Sequence, residues 1–277
     1  MINKMNKKGH IFAIGLIIAT LVMCGNIIYS FSQSSDSIKV SMNSASLQDI
    51  YNRQAEFDIY LKDSANLAAQ QALFETARKG AVSGLDCKAY DSNPSYVIWN
   101  DKCNPDFLDT NALFEQYFSS SFEDFIKNYP DSLNKSKFSV SVLSLLGVHY
   151  AKLDSENLVL KKPAENGIIS YTAEYSYNPS FTYYFEMGPQ DFRNVYTLIN
   201  LKLKKCKEAN SEAETIAPCM NGLQIAGKWS NLAIKDSMDG KDYILFRMLS
   251  AKKFFFQDSL DSKFKWQPVE LKFAIEI

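Results

Sequence analysis

Cysteine and histidine are the residues of this chain whose chemistry is most informative. The 277 residues include five Cys and two His. Four of the cysteines fall into two local pairs, Cys87 with Cys103 and Cys206 with Cys219. Outside the cytoplasm disulfides persist, and loops of about 14 to 17 residues closed by one are stabilised by roughly 3 kcal/mol each. We therefore predict these two disulfides, chosen by locality from the three connectivities that four cysteines allow.

A zinc site is the functional rival of the disulfides, and the spacing disfavours it. Structural zinc sites draw on CxxC-like pairs, whereas gaps of 15 and 12 residues separate the cysteines here. Catalysis by a Ser-His-Asp or Cys-His site needs an imidazole, and His149 is the only His beyond the N-terminal segment. It lies in a short strand-like stretch, where a structural role is favoured. GxxxxGK[ST] and GxGxxG are both absent, so the sequence predicts no catalytic residue, metal or cofactor.

The charge balance excludes a further class of function. Lys and Arg number 30 and Asp and Glu number 31, which gives a net charge of −1. Proteins that bind nucleic acid usually carry a basic patch or stripe, and no such excess is present. We therefore predict that nucleic acid is not a partner.

An uncharged apolar run, residues 11–31, follows a basic N-terminal segment, residues 1–10. At about 1.5 Å per residue, 21 residues span roughly 31 Å, the thickness of the hydrocarbon core of a bilayer. Because basic flanks stay in the cytoplasm, we predict a single transmembrane helix with the C-terminal part outside the cell membrane. The bilayer is then a partner through this helix.

Other interpretations of the N-terminal segment place the same domain outside the cytoplasm. Ser30 and Ser32 would fit a secretory signal that is cleaved before Gln33. Cys24 follows a short apolar core and would fit a lipoprotein, although Met23 before it is larger than usual. An uncleaved signal anchor is the remaining alternative.

The apolar run follows directly after the residues Lys7-Lys8-Gly9-His10. This segment resembles the class III signal of archaeal type IV pilins and pilin-like surface proteins. The resemblance covers about thirty residues and implies a prepilin-type peptidase that cuts after Gly9, before His10, or one position earlier. It also implies a retained apolar helix and, as partners, further copies in a homo-oligomer or filament.

Beyond the apolar run, we predict a Ser- and Asn-rich stalk over 32–46 and one extracytoplasmic α+β domain over 47–277. Its first element is a long amphipathic helix of about 33 residues that ends at Arg78-Lys79-Gly80. Two further helices are predicted, one that begins near Asp109 and one that begins at Gly188–Asp191.

The remaining periodicity is that of a mainly antiparallel sheet. The clearest predicted hairpin joins 169–177 to 181–187 through the turn Asn178-Pro-Ser180, with Tyr and Phe on one face. The last strand, 269–277, alternates apolar and polar residues. Asn134 begins an N-glycosylation sequence in a predicted loop.

Taken together, these features predict a non-enzymatic, membrane-anchored surface protein, pilin-like, with a structural, assembly or adhesion role. The alternative is an extracytoplasmic ligand-binding module with an aromatic groove, since aromatic clusters also bind sugars, peptides and subunits. A less favoured alternative is an anchored hydrolase that uses carboxylates such as Glu174 and Glu186.

Overall fold

The computed structural model describes most of the chain beyond the apolar run. The described ranges are 44–83, 87–90, 96–130, 137–145, 147–166, 169–209, 213–225, 227–258 and 263–277. The predictions for the basic segment, the apolar run, Gly9, His10, Cys24 and Asn134 lie outside the described residues. None of the helices within these ranges combines the length and apolar character that a membrane span requires.

Four helices are present in the described part of the chain. They are α1 (Ser44–Arg78), α2 (Phe107–Lys127), α3 (Pro189–Ala209) and α4 (Ala213–Met220). The first three correspond to predicted helices, although α1 begins at Ser44, inside the predicted stalk, and α2 begins at Phe107, before the predicted start near Asp109. Helix α4 was not predicted, because its eight residues contain Pro218 and show no extended apolar period.

The same described ranges contain ten strands. They are β1 (Val97–Trp99), β2 (Phe138–Leu145), β3 (Val148–Ser155), β4 (Leu158–Asn166), β5 (Ile169–Tyr177), β6 (Ser180–Phe185), β7 (Gln224–Ile225), β8 (Trp229–Met238), β9 (Lys241–Gln257) and β10 (Phe264–Glu276). They form sheets in the orders β1-β10-β9-β8-β7, β2-β3-β6 and β4-β5. Strand β1 pairs parallel with β10, and the other pairs are antiparallel. The fold is thus α+β and rich in antiparallel sheet, as predicted.

The predicted hairpin between 169–177 and 181–187 is wrong. Strand β5 pairs with β4, and β6 pairs with β3, so the two segments lie in different sheets. The sequence Asn178-Pro179-Ser180 does end one strand and precede another. Turn residues mark where a strand stops but do not determine which strand it pairs with.

The described residues divide into two compact units. The first comprises 44–55 and 156–179, and the second comprises 56–155 and 180–277. In the first unit the β4–β5 hairpin buries Tyr175 and Tyr177, and Tyr51 at the start of α1 meets Tyr175 edge to face at 6.0 Å.

The core of the second unit lies where β10 meets β1 and β9. Phe273 stacks on Trp99 from β1 and on Phe246 from β9. The indole Nε1 of Trp99 donates a hydrogen bond to the carbonyl of Gly80, 3.0 Å away, which joins the end of α1 to this core. The apolar residues at 269, 271, 273 and 275 of the last strand are buried as predicted, whereas Ile277 lies past the end of the strand and is only partly buried. Ala274 is buried too, because a small cluster with Ile98 and Tyr243 covers the other face.

Both disulfides form between the predicted partners. Cys87 is bonded to Cys103, and Cys206 is bonded to Cys219, with Cα–Cα distances of 5.5 and 6.0 Å. The first pair precedes α2, and the second joins α3 to α4. Because both crosslinks are local, they constrain short loops and leave the strand pairings to hydrogen bonds and packing.

Candidate functional site

The second unit contains an open groove of about 350 Å³, which we call the aromatic groove. Helix α1 provides its floor, β6 and the residues after it form one wall, and β9 with β10 forms the other. Its lining residues are Asn66, Ala69, Gln70, Leu73, Tyr183, Tyr184, Phe185, Glu186, Met187, Lys252, Lys253, Phe254 and Trp266. This volume lies in the range of sites that bind small ligands or a few residues of a peptide.

The first wall is the edge of a sheet. Strand β6 is the last strand in the order β2-β3-β6, so one of its edges pairs with no strand of the described chain. Five consecutive residues, 183–187, line the groove. Three of these, 183–185, belong to the strand, and successive side chains of a strand point to opposite faces, so a cavity that touches all three runs along the edge.

The second wall is the part of β9 that extends past its neighbour. The ladder between β8 and β9 ends at the pair of Trp229 and Ser250, whereas β9 continues to Gln257. Beyond that point the edge is met by side chains of α1. The N–H of Phe255 donates to Oε1 of Gln70 at 2.6 Å, and the N–H of Gln257 donates to Oε1 of Gln71 at 2.8 Å.

The side chain of Gln71 takes the place of a neighbouring strand at this edge. Its amide Nε2 donates to the carbonyl of Gln257 at 3.0 Å, so one side chain makes both bonds that a neighbouring strand would make. Unpaired strand edges invite association with other chains, and covering them is a common protective device. The glutamines cover the edge at 255 and 257 only.

Two aromatic side chains at the groove are largely exposed. Tyr184 and Trp266 each retain 65% of their accessible surface. Tyr184 lies beside Tyr150 of β3 at 5.8 Å, and Trp266 lies beside Phe255 at 5.4 Å. Large aromatic residues are enriched at the centres of protein interfaces because they bury much surface with few rotatable bonds.

The two lysines that line the groove differ in whether they form an ion pair with a described residue. Lys252 Nζ contacts both carboxylate oxygens of Glu186, at 2.6 and 2.8 Å, and so joins the two walls. Lys253 is exposed and forms no ion pair with any residue that the structure describes. Glu186 is the only carboxylate among the lining residues, so a pair of converging carboxylates is not found here.

A buried polar cluster lies behind the first wall. His149 and Asp191 are 1% and 5% exposed, and Nε2 of His149 lies 3.0 Å from Oδ2 of Asp191. By geometry Nε2 makes no well-aligned hydrogen bond to a described residue, so the two groups are in close contact without an aligned bond. Nδ1 of His149 lies 2.8 Å from Oγ of Ser144, and Nζ of Lys228 lies 2.9 Å from Oδ1 of Asp191.

The environment of Asp191 favours its ionised form. Burial by itself would raise the pKa of this carboxyl, but His149, the N–H of Gly188 and Lys228 together outweigh burial and lower the pKa. The ionised group therefore stabilises the fold fully above its ordinary pKa of about 4. That contribution is lost as the pH falls through the lowered pKa.

This cluster holds the wall of the groove in position. Lys228 Nζ donates to the carbonyl of Glu186, and the ring of His149 stacks on Phe185. Gly188 lies against the imidazole so closely that an added Cβ would be 2.8 Å from ring atoms of His149. Asp191 also accepts the Gly188 N–H at 2.9 Å, which caps the N-terminus of α3.

The chain of contacts from Ser144 through His149 to Asp191 has the connectivity of a hydrolase triad. None of these three residues lines the aromatic groove. In the sequence His149 and the start of α3 are separate features, and only the pairing of β3 with β6 brings them together. The local signal was the sequence Gly188-Pro189-Gln190-Asp191, a helix start whose acid reaches back to the first N–H.

The groove was also only partly foreseen. The aromatic set around 181–187 was predicted, whereas Lys253 and Trp266 were not, because they are distant in sequence. No group of three or more His, Cys, Asp or Glu that could hold a metal ion occurs in the described ranges. No protein-family model, no curated protein and no solved structure matches this chain.

Proposed function

We propose that this chain is a membrane-anchored, extracytoplasmic interaction protein that binds a partner through the aromatic groove and catalyses no reaction. The observation that carries the proposal is the pair Tyr184 and Trp266, both 65% exposed at a concave site. Exposed aromatic surface in a preformed groove is stabilised by covering it with a ligand. The proposal joins the adhesion role inferred from the sequence to its alternative, a ligand-binding module.

Two features support the extracytoplasmic location. Disulfides persist in oxidising compartments, and both local cysteine pairs are bonded. The basic segment and apolar run resemble the signal and anchor of pilin-like surface proteins, which a prepilin-type peptidase would process near Gly9. On this basis the folded part stands outside the cell membrane, and the N-terminal helix anchors it.

A second candidate is self-association into an oligomer or filament. It is favoured by the outer face of the β2-β3-β6 sheet, where Leu143, Val148 and Tyr184 are each about half exposed or more. The register places Leu143, Tyr150 and Tyr184 in one row across the three strands. A second copy that covered this row would compete with a ligand for Tyr184.

The location is tested by mass spectrometry of the intact, membrane-extracted protein. We expect an N-terminus at residue 9 or 10, with both disulfides intact. A lipid on Cys24 or a cut before Gln33 would contradict the pilin-like anchor. A protein recovered only in the cytosolic fraction would contradict the location altogether.

Binding is tested with immobilised peptide and glycan libraries. We expect wild-type protein and the Leu201→Ala variant to retain the same ligands, because Leu201 is exposed on α3 and does not line the groove. Trp266→Ala and Tyr184→Ala should each lower the affinity for those ligands about tenfold or more, as substitution of aromatic interface residues commonly does. Binding that is unchanged in both aromatic variants would refute the groove as the site.

A further inference from the structure

We propose that the aromatic groove binds an extended, acidic peptide as an added β-strand. This inference rests on the proposed function, because it names the ligand class and the binding mode of the same groove. The occupant is a segment of a protein partner with an acidic side chain beside Lys253. Its backbone would pair with Lys253, which lies between Ala251, whose N–H donates to the carbonyl of Lys228, and Phe255, whose N–H donates to Gln70.

The backbone of β9 has a free position in the groove. The N–H groups of Phe255 and Gln257 point to the edge covered by α1. Since alternate residues of a strand direct their N–H and C=O groups to the same edge, those of Lys253 point to that edge as well. The glutamines do not reach this position, and Lys253 lines the groove.

The partner strand on the other side is consistent with this alternation. Lys253 is opposite Pro268 in the register with β10. Proline has no N–H to donate, so it is tolerated where the ladder needs no bond. The N–H and C=O of Lys253 are therefore directed away from β10 and towards the groove.

Strand β6 offers a second free edge to the same ligand. Its residues, Ser-Phe-Thr-Tyr-Tyr-Phe, include none of the Lys or Pro that commonly protect an edge strand. Of the groove-lining residues only 183–185 belong to this strand, which at about 3.3 Å per residue offers roughly 10 Å of edge. That length accommodates about three extended residues of a peptide.

The side chains favour an acidic ligand. Lys253 and Trp266 project from the same face, because Lys253 is opposite Pro268 and Phe255 is opposite Trp266. A ligand residue on that face would meet an ammonium group that no described residue neutralises, next to an indole. A carboxylate there would neutralise the ammonium group of Lys253, whereas Lys252 is already neutralised by Glu186.

A saccharide would use the aromatic faces but not the free backbone groups of the two strand edges. The experiment therefore separates main-chain pairing from side-chain contact. The probe is a fluorescent seven-residue peptide that alternates Val and Glu, added to the full chain in detergent micelles. Matched probes carry Lys in place of Glu, or N-methyl groups on alternate backbone nitrogens.

We expect the acidic peptide to bind in fluorescence anisotropy, and N-methylation on the pairing edge to weaken it at least tenfold. The Lys peptide should bind about tenfold more weakly. Lys253→Glu should reverse that preference, while Lys205→Glu, a charge reversal on the exposed part of α3, should not. These results together would support strand addition.

Three outcomes would overturn the inference. Equal binding of the N-methylated peptide would show that the backbone does not pair. If the Lys253→Glu variant still preferred the acidic peptide to the Lys peptide, the acidic side chains would not be recognised at position 253. Failure of every peptide, with a glycan still bound in a Trp266-dependent manner, would reject strand addition while leaving the proposed binding function in place.

Discussion

The β9–β10 hairpin contains two regions that differ in what surrounds them. The inner half, 241–250 with 269–276, has β8 on one side and β1 on the other. The outer half, 253–257 with 264–268, pairs with neither of these strands and with no further strand in the described ranges. Phe246, Leu271 and Phe273 of the inner half are fully buried, whereas Trp266 of the outer half is 65% exposed.

An irregularity in the register separates the two halves. The pairing shifts between Pro268 and Glu270, and buried Ser250 lies opposite this shift. Its Oγ accepts the N–H of Val269 at 2.8 Å and donates to the carbonyl of Lys252 at 2.7 Å. One hydroxyl thus provides the bonds that the interrupted ladder lacks.

One strand pair thus has two different surroundings. The inner half supplies much of the packing of the unit. The outer half buries Phe256 against Phe74 of α1 but leaves Trp266 exposed. Substitution of the buried inner rings should therefore lower stability, whereas substitution of Trp266 should affect binding.

The largest effect is expected for Phe273→Ala. This ring stacks on Trp99 and Phe246, so its removal should cost about 3–5 kcal/mol of unfolding free energy through lost burial and a cavity. The measurement is chemical denaturation. Phe264→Ala in the outer half, where the ring is 37% exposed, is the control and should cost far less. Equal losses would erase the distinction between the halves.

Ser250→Ala should have the next largest effect. It leaves the N–H of Val269 buried without an acceptor, which costs about 1–3 kcal/mol. Ser230→Ala, whose Oγ makes only a long 3.5 Å contact on an exposed strand, should be nearly neutral. If both variants denature at the same midpoint, Ser250 does not join the halves.

Gln71→Ala should destabilise by about 1 kcal/mol, because the two bonds it loses lie at a partly exposed edge. The sharper measurement is amide hydrogen exchange. We expect faster exchange at Gln257 and no change at Phe246 in the inner half. Protection at Gln257 that survives the substitution would mean that another group covers this edge.

Trp266→Ala should change stability least, by under about 0.5 kcal/mol, since the side chain is mostly exposed. Its effect on ligand binding should be the largest in the outer half. A large drop in the denaturation midpoint would instead assign Trp266 to the packing of the unit and weaken the proposed function.

The predictions from sequence succeeded where the information is local. The apolar stripe of α1, the helix start at Pro189 and the alternation of 269–275 depend on neighbours within a few residues, and the two disulfides close short loops. Sequence periodicity divides the single strand β9 into two segments, 242–249 and 252–257, because the irregular segment near Ser250 interrupts the alternation.

What could not be predicted depends on pairings between distant segments. The turn at Asn178 suggested that β5 and β6 form a hairpin, yet β6 joins β3. That pairing creates both the edge along 183–187 and the contact of His149 with Asp191. The groove further requires α1, which lies well over a hundred residues before β9 and Trp266, so no periodic pattern reveals it.

The short range of the two disulfides has a consequence for the response of the protein to proteolysis. A cut anywhere between Cys87 and Cys103, or between Cys206 and Cys219, would leave the chain in one covalent piece. The strand ladders on either side would then stay tethered and could remain folded. Such nicks would become visible on a gel only after reduction.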